Sequence, residues 1–397
     1  MIAHPHNFKI MKSEIGIYLK DEIESVAWEM VENGTCLKNY ILPFVEKGSR
    51  HFITNSEHEM ALAIVNGKAF PLTIGNLKSK SSCYLVSFLS QYFDYAREEV
   101  LENDKYTANQ KRIARFVVPI FRFLGQLSGM ERVVFINNYI LSTSLYPDTS
   151  ELNLVEFLKK LEDRFPEHAL VFRSVNDHTE KELLKELEVL EGKTLACRQL
   201  YMLDPKLGKY KKKRPFVMDS KLWQKTTDLE WFKVEAFTSE EKTAAIRFYK
   251  NLYIEKYSSL NPHYTEDYLD IALKSKVLDF YLLKDKETAE VKAVQAVATR
   301  NNVITTPFIG YDQSAPKEKG LYRLMNVQLT QLAVENNAVL NMSSGASKFK
   351  ISRGGEPCFE YHVVFDAHLK WSRKWIWSLL HYFSEKFVKP SMKKMEV

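Results

Sequence analysis

Cysteine is scarce in this 397-residue chain, and its four copies, Cys36, Cys83, Cys197 and Cys358, stand too far apart for zinc-ligand spacing. The scarcity speaks against a disulfide-stapled scaffold; buried or free thiols in a reducing cytoplasm are the expectation. Long apolar runs are missing as well. No run of 18 or more apolar residues exists, and the most apolar stretch, Phe116–Leu127, is broken by Arg122, so no membrane span is expected. The opening MIAHPHNFKIMKSEIG has no apolar core and does not read as a signal peptide. A serine-nucleophile elbow, G-x-S-x-G, is also missing. Neither sign of charge dominates, and a net charge of +6 permits anionic partners without requiring one.

What is present is the composition of an ordinary folded protein, 45% hydrophobic and 27% charged. The length allows two domains, since single cores stop growing near about 250–300 residues. The order of elements repeats. Val133–Leu141 predicts a strand, Ser150–Arg164 a helix, Ala169–Ser174 a strand, Thr179–Glu191 a helix and Leu195–Leu203 a strand. Val303–Tyr311, Leu321–Asn336, Ala338–Met342, a short basic helix within Ser343–Gly355, and Pro357–Phe365 give the same order. The first strands are offset by 170 residues (133 to 303) and the second by 169 (169 to 338). Two copies of one α/β fold with mixed sheets follow, divided as 1–204, a basic linker 205–225, and 226–397. Further strands are expected at Met60–Asn66, Ala69–Ile74, Cys83–Ser87, Trp231–Glu235, Leu278–Leu283 and Val291–Thr299. Thr238 with Glu241 reads as a capping box opening a helix over Ser239–Tyr257. A long C-terminal helix, His368–Lys386, offers an apolar face for core or interdomain packing. The linker holds six cations in the nine residues Lys206–Arg214, either a solvated connection or a surface for a phosphate backbone or an acidic carrier protein.

The segment Val303–Phe365 says most about function. The loop Asp312–Lys319 runs through Gly320 into a helix, and such a helix start offers free N–H groups and a positive dipole end to a phosphate. Lys317, Lys319 and Arg323 surround that point. The matching connection in the first copy, STSLYPDTSELN, has no glycine at the helix start and carries Asp148 and Glu151. Its acids would repel a pyrophosphate, so the first half is expected to hold no cofactor.

On these residues the chain resembles the GNAT acyltransferase superfamily, in which this strand–loop–helix unit binds the pyrophosphate of coenzyme A. Phe349-Lys350 followed by Arg353-Gly354-Gly355 is similar to the FK-x-x-x-G signature of Fem-type and related tandem-GNAT transferases, which join an acyl or aminoacyl group to an amine. The resemblance implies tandem GNAT-like halves sharing a cleft. It implies that Phe308, Ile309, Gly310, Lys317, Lys319, Gly320, Leu321, Tyr322 and Arg323 bind the cofactor, with a backbone N–H of Phe308–Tyr311 facing the reacting carbonyl oxygen. It places Lys350 in the transferase site.

Acyl transfer to an amine needs a neutral nucleophile, whose free pKa is near about 10, and a fixed donor for the developing oxyanion. Glu360 is the candidate base, with an Arg-paired carboxylate as the alternative, and Arg353 is a candidate partner for it. Tyr361 is the nearest acid for a departing thiolate, or else a core aromatic. Strand alternation sets Glu360 and His362 on one face and Tyr361 on the other. Ser344, the remaining catalytic candidate, could equally cap the next helix together with Ser343. The expected function is N-acylation of a small amine or amino-acid-like acceptor by acetyl-CoA, another acyl thioester or an acyl carrier protein, without a metal. Aminoacyl-tRNA as donor and a non-catalytic GNAT-like binding protein stay open.

Overall fold

The computed structural model describes residues 14–102 and 106–394, so most of the stretch read for a leader lies outside the described residues. In chain order the first half contains β1 (Ile15–Tyr18), α1 (Gly34–Lys47), α2 (Ser49–Phe52), β2 (Glu59–Val65), β3 (Lys68–Ile74), α3 (Ala96–Glu102), α4 (Ala108–Leu127), β4 (Val133–Ile136), α5 (Leu154–Arg164), β5 (Ala169–Asn176), α6 (Lys181–Val189) and β6 (Lys193–Leu203). There follow α7 (Arg214–Lys225), β7 (Leu229–Lys233), α8 (Ser239–Tyr249), α9 (Glu266–Lys274), β8 (Asp279–Asp285), β9 (Val291–Arg300) and β10 (Val303–Tyr311). The chain ends with α10 (Leu321–Glu335), β11 (Val339–Asn341), α11 (Ser347–Ile351), β12 (Glu356–Phe365), α12 (Trp371–Phe383) and α13 (Lys389–Lys394).

The twelve strands among the described residues form one sheet in the order β1-β2-β3-β4-β5-β12-β6-β11-β10-β9-β8-β7. The duplication is visible in the pairing. β4 and β5 are parallel with Val133 opposite Ala169, and β10 and β11 are parallel with Val303 opposite Val339, so both strands keep the 170-residue offset. Each pair is preceded by three antiparallel pairings. The halves then exchange their last strands. β12 inserts between β5 and β6, while β6 takes the place beside β11. Both copies are mixed α/β.

Helices cover both faces. Alternation along β9 sends Val294 and Ala296 into a core with α1, α8 and α9, and Ala293 and Val297 toward α7 and α10. The first of these cores joins the halves, and across it Tyr264 donates to the Ile140 carbonyl at 3.0 Å. α12 packs through Ile376 and Trp377 against Val133, Phe135 and Val171, reaching Leu195 of β6 and Val364 of β12.

Several local expectations are corrected. Cys83–Ser87 is turn and irregular chain, because its apolar residues pack as a buried loop rather than pairing with a strand. β4 stops at Ile136, where Asn137 turns left-handed at φ 59°. The helix opened by the Thr238–Glu241 box, which forms as expected, passes at Lys250 into a π-helical turn over Lys250–Glu255. Residues 205–225 fold into two short turns and α7, with Tyr210, Phe216 and Asp219 buried.

Since β12 completes the first half's sheet, damage in the last strand should be felt in the first copy. Val363 is fully buried in the core under α5 and α6. Val363→Ala should lose on the order of 2 kcal/mol of stability. Hydrogen exchange should accelerate most in residues 169–176, and acceleration confined to residues 229–311 would contradict the exchanged pairing.

Candidate active site

β10 and β11 pair over only three residues, Val303 to Thr305 against Val339 to Asn341, and then part. β10 bulges against β9 between Thr305 and Phe308 and continues to Tyr311 with β9 on one side alone. The Asp312 amide donates to the Lys292 carbonyl at 2.9 Å, on the β9 side. Strand alternation then turns the amides of Phe308 and Gly310 toward β9 as well, and those of Ile309 and Tyr311 toward the gap. The side chain of Phe308 is spent on packing, stacked on Tyr249 at 4.6 Å. At Gly310 a Cβ would come within 2.5 Å of the Phe248 backbone, so glycine lets α8 lie directly on the strand.

Beyond Tyr311 the loop reaches Gly320, which is left-handed at φ 61° and would press a Cβ to 2.8 Å from Leu222. The amides of Lys319 and Gly320 are used in a short turn, bonding to the Pro316 and Lys317 carbonyls. The first helical bonds of α10 come from Arg323 and Leu324, both onto the Gly320 carbonyl, and no side chain caps the helix. The amides of Leu321 and Tyr322 therefore point outward at the positive dipole end. A pocket of about 310 Å³ opens here, lined by Tyr311, Asp312, Gln313, Ala315–Lys317 and Gly320–Arg323.

The cations are distributed unevenly. Lys317 is exposed at the mouth, and Lys319 is paired with Asp228. Arg323 bonds through Nε to Asp219 at 2.5 Å, and Arg353 holds the other oxygen of the same carboxylate at 2.5 Å. Asp219, on α7 and 1% exposed, thus ties α10 to the turn after α11. Arg353 also lies on the Phe349 ring, 3.4 Å from its centroid, and Phe349 meets Tyr322 at 4.9 Å. Arg353 as partner of Glu360 is thereby corrected: Glu360 is gripped by Arg198 of β6 through two bonds of 2.9 Å each.

Lys350 is the exceptional cation. It is 5% exposed, and its Nζ donates to the carbonyls of Ser343 at 3.1 Å and Ser344 at 2.6 Å, over the Tyr201 ring at 5.7 Å. No acidic side chain pairs with it among the described residues. Burial, aided by nearby Arg198, brings its pKa down to about 7. The chain is bent to supply those carbonyls. Ser343, Gly345 and Ala346 are left-handed at φ 60°, 76° and 48°, a conformation that costs about 1–3 kcal/mol at a non-glycine residue. Ala346 precedes α11 with no side-chain cap, so the serine-capping expectation is also corrected; Ser344 contributes its carbonyl. Tyr361 sits in the core with Phe359 and Val363, opposite Ala196. Five residues along β6 separate Ala196 from Tyr201, about 16 Å at about 3.3 Å per residue, so Tyr361 does not join the Lys350 group.

The corresponding place in the first half is filled. Arg173, 170 residues before Ser343, sends Nη1 to the Leu141 carbonyl at 2.8 Å, and Arg198 reaches the Ser142 carbonyl at 2.6 Å. Asn153 caps α5 by accepting from the Glu156 amide. Burial, with Glu360 adding to it, raises Glu180 to about 7. His362 is on the Glu360 face as expected, enclosed by Phe88, Tyr92 and Phe135, and burial holds it neutral. Arg173, Arg198 and Asp219 escaped sequence reasoning, since nothing local distinguishes them.

No group of His, Cys, Asp or Glu side chains among the described residues is placed to hold a metal, and no helix there is long and apolar enough to cross a membrane. No family model matches the chain, and no curated protein matches it. Among solved structures it is similar to L-PGS from Bacillus licheniformis, at 16% identity and TM-score 0.43 over 64% of this chain and 82% of that one. It is similar to FemX at 9% identity and TM-score 0.43, covering 57% and 78%. It is also similar to a tandem GNAT protein from the clavulanic acid biosynthesis pathway, at 7% identity and TM-score 0.39, covering 89% and 98%.

The lowered pKa of Lys350 gives stability a definite pH dependence. Between about 7 and the usual 10.5 the unfolded chain binds a proton at this residue that the folded chain does not, so stability rises with pH there. Relative to Lys350→Met, the wild type should gain on the order of 2–3 kcal/mol between pH 6 and pH 9 in urea unfolding. Parallel curves for the two proteins would show that Lys350 titrates normally.

Proposed function

We propose that this protein is an N-acyltransferase of GNAT type, whose second half transfers a thioester-activated acyl group to a small amine. The observation that carries the reading is the opening between β10 and β11, which has backbone donors on one wall and an uncapped helix start at its mouth, while buried Lys350 bonds the turn that follows β11. The Leu321 and Tyr322 amides with Lys317 suit the pyrophosphate of coenzyme A or the phosphate of a phosphopantetheine arm. The arm would then lie in the gap, with its carbonyl oxygen toward the Ile309 or Tyr311 amide, where an oxyanion gains a fixed donor. Near neutral pH a large share of Lys350 is uncharged and can take the proton that the attacking amine sheds. Collapse of the tetrahedral intermediate breaks the carbon–sulfur bond as the amide forms, and the departing thiolate takes up the proton that Lys350 accepted. Glu360, already bonded twice to Arg198, serves to position strands rather than to move protons in this scheme. The division into a cofactor-free first half and a reactive second half rests on the arginines that fill the first.

A second reading has an observation of its own. Tyr210 is buried against Phe216 at 5.0 Å and packs on Gly354, which anchors the exposed cations Lys206, Lys209 and Lys211–Arg214 beside the Phe349–Gly355 turn. That surface suits a donor carried on a larger anionic molecule, an acyl carrier protein or an aminoacyl-tRNA.

The test is Lys350→Ala, assayed for amide formation with acetyl-CoA, long-chain acyl-CoA, acylated carrier protein and charged tRNA. Removal of the group should lower kcat about 100-fold or more with the accepted donor, while circular dichroism stays unchanged. Wild-type turnover by the variant would remove Lys350 from the chemistry, and the absence of turnover by the wild type with the whole panel would overturn the reading.

A further inference from the structure

Helix α4 carries its apolar stripe on the outside. Ile113, Phe116, Ile120, Phe123 and Leu127 recur at three- and four-residue spacings and are between 57% and 69% exposed, while only Ala114 and Gly125 of the helix are buried. At about 100° per residue those five side chains fall within an arc of about 80°, centred on solvent. The side that rests on the protein runs through Ala114, Val118, Phe121 and Gly125, with Leu124 at its margin. On the inner side of the helix Phe121 meets Phe383 of α12 at 5.5 Å, and next to Phe383 both Phe387 (5.5 Å) and Tyr382 (6.0 Å) are more than half exposed. Five large apolar side chains exposed together on one face make a contiguous patch of the kind that marks an interaction surface.

The repeated fold does not require this helix. α3 and α4 lie between β3 and β4, where the second half has only Asn301 and Asn302 between β9 and β10. The charge carried by the helix itself has one sign. Within Ala108–Leu127 there are four cations, Lys111, Arg112, Arg115 and Arg122, and no acid. Arg122 is engaged by Asp94 at the base, whereas Arg112 and Arg115 are exposed along one edge of the stripe, and Lys386 is exposed beside Phe387. The surface is a single protruding helix rather than a groove, so the fitting occupant is a deformable apolar layer with acidic groups at its boundary.

We infer that α4 seats this protein on the surface of an anionic lipid bilayer. The stripe enters the boundary between headgroups and acyl chains, and Arg112, Arg115 and Lys386 meet the lipid phosphates. This rests on the outer surface alone and is independent of the chemistry assigned to Lys350.

Flotation of the full chain with phosphatidylcholine vesicles, with and without phosphatidylglycerol, tests it. The protein should rise with the acidic vesicles, less with the neutral ones, and release as salt is added. Phe116→Ser combined with Phe123→Ser should cut the bound fraction at least about tenfold at unchanged circular dichroism. Arg112→Glu with Arg115→Glu should weaken binding to acidic vesicles alone. Failure of the wild type to float, or equal flotation of the serine variant, would overturn the inference. So would light scattering that shows a dimer dispersed by the serine substitutions with no vesicle binding, since the stripe would then join two copies of this chain.

Discussion

The exchange of last strands between the two halves is the constraint on which the rest of the structure depends. Had β12 stayed beside β11 and β6 beside β5, the chain would have made two separate sheets. Because each crosses over, one sheet of twelve strands results, and the candidate site in the second half is floored by a strand of the first. The Met342 amide bonds to the Tyr201 carbonyl at 2.9 Å, and Lys350 lies over the Tyr201 ring. The Arg198–Glu360 pair locks the same crossing from the opposite direction, one partner from each half. Breaking a buried pair of this kind by removing one partner costs about 3–5 kcal/mol, so the crossing is guarded by charge as well as by backbone bonds.

Duplication gave two equivalent places, and side-chain size separates them. Where the second half turns through Ser343 with no bulk, the first half has Arg173, whose guanidinium reaches the loop that follows β4. Where α10 begins uncapped at Gly320, α5 begins with the Asn153 oxygen already bonded to an amide. A filled and capped copy contributes rigidity. An open copy contributes donors without partners, and a left-handed turn that aims two carbonyls at one lysine.

The elements were legible because their signals are local. Alternation and three-to-four spacing located β4 to β6 and β10 to β12, and the offset of 170 residues survived into the strand register. The Thr238–Glu241 box and the shared face of Glu360 and His362 follow from period alone. The partners of charges were not legible. Asp219 lies 104 residues from Arg323 and 134 from Arg353, and no pattern in the sequence joins them. The burial of Lys350 was hidden for a similar reason. In SKFKIS it reads as a solvated cation, and only the crossing of β6 beneath α11 encloses it. Strand exchange conserves the order and hydrophobic pattern of both halves, so nothing in the sequence distinguishes it from two closed copies.

The claim that the start of α10 grips a phosphate of the donor can be tested at the first amide of that helix. Leu321 is the first residue, where proline suits the backbone but removes the N–H together with a buried leucine side chain, so Leu321→Ala serves as the control for the side chain. Calorimetric titration of coenzyme A into Leu321→Ala and Leu321→Pro compares the two directly. Loss of one charge-assisted hydrogen bond, about 1.5–3 kcal/mol, predicts affinity weakened by about tenfold or more with the fold intact. Equal affinity in the two proteins, or no binding of coenzyme A or of a phosphopantetheine-bearing carrier by either, would contradict the account.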